Sequence, residues 1–255
     1  MRFLFVVFFS FSTLFMSGCW WEEETRESIT GYQTPKEIFE NGMNELDAGQ
    51  VDNAIKIFER LRAAYPASKY AIQSRLETIY ALHEKERFDE AISEADEYIK
   101  LFPNHFSTPY AFYLKGLSAE NKSRSILDDY VTDNAERDTS SVKIALEYYL
   151  ELINKFPKSQ YSVEAKDRLV IIRNILARHE LVIAIFYTNK NAHIGAINRC
   201  KYILEKYPNT PSVPAALHLI ALNYDKINAP KLAEDARRVL KASYPKYIPH
   251  YSLVN

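Results

Sequence analysis

Two cysteines and six histidines are the side chains of this 255-residue chain best suited to covalent or metal chemistry. The histidines, His83, His105, His179, His193, His218 and His250, are scattered, and none forms an H-E-x-x-H pair or another close ligand spacing. No G-x-S-x-G element is present to sharpen a serine into a nucleophile. The six glycines lie too far apart to cradle a phosphate. Acidic runs such as Glu22 to Glu24 and Asp128-Asp129 read as solvated charge. No group meets the geometric needs of a reacting centre, so neither an enzyme nor a metal or other cofactor is expected. The formal net charge is −1 and the pI near 6.6, so bulk charge gives no pointer to nucleic acid.

Cys19 is the exception. It follows a short basic start (Met1-Arg2), an apolar run from Phe3 to Phe15, and the stretch "MSGC" at Met16 to Cys19. A membrane span needs ~20 residues, so this run suits the core of an export signal. Small residues before a cysteine resemble the bacterial lipobox, although Met16 stands where leucine is usual. The resemblance implies a signal peptide over 1–18 and fatty acylation, palmitate included, on Cys19. Each buried methylene of such a chain adds ~0.8 kcal/mol of membrane affinity. An ordinary cleaved signal with an incidental cysteine is the alternative. Trp20, not aspartate, comes next, which by resemblance to Gram-negative lipoprotein sorting implies the outer membrane, periplasmic face. Cys200 is then left without a disulfide partner and, on an apolar helix face, is expected to be a buried thiol.

These residues sit in a chain that reads as all helix. Five aromatic-proline pairs recur, at Tyr65-Pro66, Phe102-Pro103, Phe156-Pro157, Tyr207-Pro208 and Tyr244-Pro245. Twelve residues before each proline stands an alanine: Ala54, Ala91, Ala145, Ala196 and Ala233. In the first unit Gly42, Ala54, Phe58 and Pro66 occupy positions 8, 20, 24 and 32 of a helix–turn–helix pattern that resembles the tetratricopeptide repeat. Thr34-Pro35 starts its first helix, Gly49 closes it, and a second helix runs over about 51–64. Small residues let the paired helices approach, the aromatic at position 24 is expected to fill the gap between neighbouring repeats, and proline ends the second helix. The expected fold is a solenoid of five such repeats, about ten helices, at about 35–66, 67–103, 104–157, 158–208 and 209–245. A lipidated tether (19–33) precedes this 34–247 domain and a tail (248–255) follows it.

The alanines are spaced by 37, 54, 51 and 37, so the middle units carry extra chain. One excess, Asn121 to Ser141, is polar and reads as a long connection with one short turn over 126–131. The other, Ser159 to Asn191, has neither proline nor glycine and reads as one long helix, or one broken near His179. In such repeats positions 2, 5, 9 and 12 of the first helix face the groove. They place Phe39, Leu76, Tyr80, His83, Tyr110, Tyr113 and Glu120 there, and the aromatics suit an extended peptide. Plain packing between repeats is the competing reading for each residue.

The stretches "AAYPASKYA", "YAFYLKGL", "ERDTSS", "FPKSQYSVEAKDRLV" and "AINRCKYILEKYPNT" together resemble the BamD family, lipoproteins of the outer-membrane β-barrel assembly machinery. The likeness covers about 35–245. It implies five tetratricopeptide repeats that bind a POTRA domain of BamA and unfolded outer-membrane proteins, with accessory Bam lipoproteins as further partners. Under it Phe39, Tyr80, Tyr110 and Tyr113 are client-groove candidates. Arg199 matches a family arginine at the BamA contact, and Arg137-Asp138 matches a pair that braces the long loop or meets a partner. The alternative is another periplasmic repeat lipoprotein, an adaptor for a protease or for cell-wall machinery.

Overall fold

The computed structural model describes residues 33–122 and 139–249. Cys19, Arg137, Asp138 and the turn expected over 126–131 lie outside the described residues. Ten helices follow one another: α1 (Pro35–Asp47), α2 (Val51–Ala64), α3 (Lys69–Glu84), α4 (Phe88–Leu101), α5 (Thr108–Asn121), α6 (Ser140–Lys155), α7 (Gln160–Asn189), α8 (His193–Lys206), α9 (Val213–Lys226) and α10 (Pro230–Ser243). Among the described residues there is no strand.

Each aromatic-proline pair makes one and the same corner. Tyr65, Phe102, Phe156, Tyr207 and Tyr244 cap α2, α4, α6, α8 and α10 with φ between −129° and −137° and ψ between 50° and 60°. The proline ring bars its predecessor from helical geometry, so the aromatic must leave the helix there. Its own N–H still bonds back into the last turn, and its carbonyl accepts from the backbone N–H three residues on, at Ser68, His105, Ser159, Thr210 and Tyr247. Ser68 and Ser159 then cap α3 and α7, each accepting from the backbone N–H of the tyrosine two residues later. Thr34 and Glu37 form a reciprocal capping box on α1.

The helix pairs are held by size matching. All five repeat alanines are fully buried. A Cβ on Gly42 would lie 2.3 Å from the Phe58 ring, and one on Gly116 would lie 2.5 Å from the Tyr149 ring. The position-24 aromatic therefore fills the missing side chain of its own repeat's glycine and also shares a core with the next repeat, Phe58 with Ala71 and Tyr149 with Leu169. Repeat two inverts the sizes: Ile79 and Ala95 stand at the same two positions in one core cluster. Repeat four uses Ala184 and Cys200. A large side chain on one helix calls for a small one opposite, because interiors pack densely.

Every helix packs on the next, and in addition α1 meets α3, α3 meets α5, α5 meets α7 and α7 meets α9. No comparable contact joins one second helix to another. The first helices thus line the inner side of the stack. Helix α7 is unbroken, 30 residues and about 45 Å long. Its first half (Ala165, Leu169, Ile172) packs into the core of repeat three. Its second half (Ala177, Leu181, Ala184) packs into that of repeats four and five. Within the described residues no helix is long and apolar enough to cross a membrane.

Candidate functional site

Three successive first helices present side chains at i, i+3 and i+7, a spacing that puts them on one helical face. They are Glu77, Tyr80 and Glu84 on α3, Tyr110, Tyr113 and Leu117 on α5, and Tyr161, Glu164 and Arg168 on α7. The stripes meet: the Tyr161 ring lies 5.1 Å from Tyr110 and 5.7 Å from Tyr113 between centroids. Tyr80 is the most open of the tyrosines, at 44% exposure. Burial pushes the Tyr110 phenol up to about 12, helped by the nearby Tyr161, Glu77, Tyr80 and Glu84. Burial likewise raises the Tyr113 phenol, while Arg168 opposes it. At neutral pH these phenols are protonated, so the face offers rings and hydroxyl donors.

Beneath the rings lies a buried carboxylate. Glu120 is 6% exposed and accepts a 3.0 Å hydrogen bond from the Tyr149 hydroxyl. Its other oxygen accepts from Arg168 Nη1 at 3.4 Å. The Tyr149 ring in turn lies 6.1 Å from Tyr113. Gly116, Tyr149, Glu120 and Arg168 therefore form a chain of contacts from the core of repeat three up to the tyrosine face.

Tyr80, Tyr110 and Tyr113 fall together as the sequence grouped them. Phe39 does not join them. It is 8% exposed and packs on Phe58 and Tyr70, with centroids 5.7 and 5.6 Å away, so its ring belongs to the first core. Leu76 and His83, expected in the groove, are also buried. His83 Nδ1 is 2.9 Å from Ser118 Oγ, tying α3 to α5, and burial lowers its pKa. Glu120 is likewise an internal group. Tyr161, Glu164 and Arg168 were missed because the repeat pattern indexes only the second half of α7. A signal existed: a tyrosine follows the N-cap serine in both "PASKY" and "PKSQY". Tyr70 of the first packs on Phe39, just as Tyr161 of the second packs on Tyr110.

Arg199 lies elsewhere, on α8. Its Nη1 donates to Glu180 Oε2 at 3.0 Å, with side-chain exposures of 42% for the arginine and 8% for the carboxylate. That bond, with the charge of Glu180, raises the Arg199 pKa. Cys200, next to it in sequence, is fully buried, and burial pushes its thiol up to about 12, far from a reactive thiolate. Among the described residues no group of three or more His, Cys, Asp or Glu is arranged to hold a metal ion.

A stack of ten helices in consecutive antiparallel pairs, with the first helices on the inner side, defines a tetratricopeptide-repeat scaffold. The YfiO model, described as an outer membrane lipoprotein, matches residues 32–240. The outer membrane protein assembly factor BamD of Neisseria meningitidis serogroup B is 33% identical over 219 residues, 86% of this chain and 82% of the relative. BamD of Xylella fastidiosa (strain Temecula1) is 28% identical over 92% of this chain and 80% of its own length. The chain belongs to this family of outer membrane lipoproteins, which contains BamD. Among solved structures, MamA protein aligns with 85% of this chain and 98% of its own at 14% identity and a TM-score of 0.38.

Proposed function

We propose that this protein is a periplasm-facing lipoprotein of the outer-membrane β-barrel assembly complex, anchored through lipid on Cys19. It binds unfolded barrel-protein clients on its inner face and BamA through the α7–α8 ridge that carries Arg199. One observation carries the reading: in a chain of the BamD family, Tyr80, Tyr110, Tyr113 and Tyr161 converge from three repeats onto one face. Rings that are half-buried at rest can take up aromatic side chains of an extended segment with little loss of side-chain freedom. On this reading the activity is one of binding and handing over.

Depletion of the protein in its own host tests this. Outer-membrane barrel proteins should fall while inner-membrane proteins hold, and a plasmid-borne copy should restore them. Unchanged barrel levels on depletion would sink the assembly role and favour an adaptor serving other periplasmic machinery. In the same strain Arg199→Glu should lose co-purification with BamA while the isolated variant keeps its helical circular dichroism. Full co-purification would remove Arg199 from the contact.

A further inference from the structure

The tyrosine face is not neutral. Glu77 and Glu84 flank Tyr80 on α3, one turn to either side, and Glu164 follows Tyr161 by one turn on α7. Glu84 and Glu164 are exposed, and Glu77 has only a weak 3.4 Å bond from Gln73 Nε2. The cation of the face, Arg168, is already matched by Glu120 beneath it. Around the rings the carboxylates therefore stand in excess. A wholly apolar segment lying here would strip water from those carboxylates without replacing it, and an acidic segment would be repelled. A cation would gain twice, from the negative faces of the tyrosine rings and from the carboxylates beside them.

We infer that this face selects an extended peptide in which a lysine or arginine lies between aromatic residues, the cation seated over Tyr80 and Tyr110 between Glu77 and Glu84, the aromatics stacked on Tyr113 and Tyr161. The inference rests on the peptide-client reading above and adds to it a charge preference. Arginine suits the seat better than lysine, since its planar guanidinium stacks on a ring as well as pairing with a carboxylate. Because the carboxylates are solvent-exposed, the preference weakens as salt rises.

The full lipidated chain in detergent, titrated against three labelled peptides, tests this. The peptides share one length and aromatic pattern and differ at a single central residue: arginine, glutamine or glutamate. Fluorescence anisotropy should rank them in that order, with arginine about fivefold tighter than glutamine, the scale of one exposed cation–π contact and one surface ion pair. In the double variant Glu77→Gln, Glu84→Gln the arginine peptide should lose about half of that advantage on a logarithmic scale, keeping the part that the tyrosine rings supply. Equal affinity for all three, abolished by Tyr110→Ala, would overturn the charge preference and leave the peptide-binding reading standing. No binding by any of the three would overturn both. An arginine preference undiminished in the double variant would also reject the seat as assigned.

Discussion

The tyrosine face and the Arg199 ridge are both charged-aromatic sites on the same solenoid, yet they are built at different distances in the chain. Arg199 and Glu180 are 19 residues apart on the two helices of one repeat, and their pair needs only that one crossing. The tyrosine face needs α3, α5 and α7, and its supporting bond from Arg168 to Glu120 spans 48 residues and the long connection between α5 and α6. The ridge should therefore tolerate local change that the face does not.

The two glycines beneath these sites give the largest contrast. Gly116→Ala should cost about 1–3 kcal/mol in chemical denaturation, because its Cβ would sit 2.5 Å from a fully buried Tyr149 ring that has no room to move. Gly195→Ala meets the half-buried Tyr187 ring at 3.1 Å, and the gain in helix propensity, up to about 1 kcal/mol, should offset that contact. Equal losses would dissolve the contrast between face and ridge. The two buried carboxylates come next. Glu120→Gln should lose about 1–2 kcal/mol, since Tyr149 and Arg168 both depend on it, and should loosen peptide binding. Glu180→Gln should lose less, because Arg199 remains partly in water, and the variant should bind BamA more weakly than the native chain through a poorly positioned Arg199. A Glu180 variant less stable than its Glu120 counterpart would reverse the comparison.

Acid should affect the neighbourhood of the face. Burial penalises charged His83, holding its pKa below the usual 6.5, so the unfolded chain binds the proton more readily. Stability from this group is complete above 6.5 and falls as pH drops through that value toward the lower folded pKa. His218, also lowered by burial and by Arg237, contributes with the same sign at the other end of the stack. Thermal melts between pH 7 and 5 should show a smaller decline in His83→Gln than in the native chain, and an identical decline would exclude His83 as a source. The smallest effect is expected at the turn that joins α3 to α4. Glu86 holds φ 59°, a left-handed conformation that Gly49, Asn191 and Asn228 adopt in the matching turns. Glu86→Gly should stabilise by about 0.5–1 kcal/mol by relieving that strain, read as a shift in the denaturation midpoint.

Much of this was legible because it is local. An aromatic before proline can end a helix in only one way, which is why five corners could be read from five dipeptides. Ser159 could be recognised as a cap, and Thr34-Pro35 as a start, from chemistry within four residues. The unbroken α7 followed from the absence of proline and glycine over Ser159 to Asn191. What resisted reading was exposure. The repeat frame put both Phe39, at position 5, and Tyr80, at position 9, on the groove, but Phe39 has Tyr70 and Phe58 against it whereas Tyr80 is flanked by open turns and glutamates.

The sequence by itself determined the helices, their ends, the buried alanine of each pair and the family. Those rest on backbone sterics and on contacts between neighbours in the chain. Only the tertiary structure decided that Glu120 lies under the rings instead of among them, that Arg168 answers it, and that Tyr161 joins Tyr110. Those depend on how far each repeat rotates on the last, a small angle set by the sum of side-chain volumes at every crossing, which no single motif encodes.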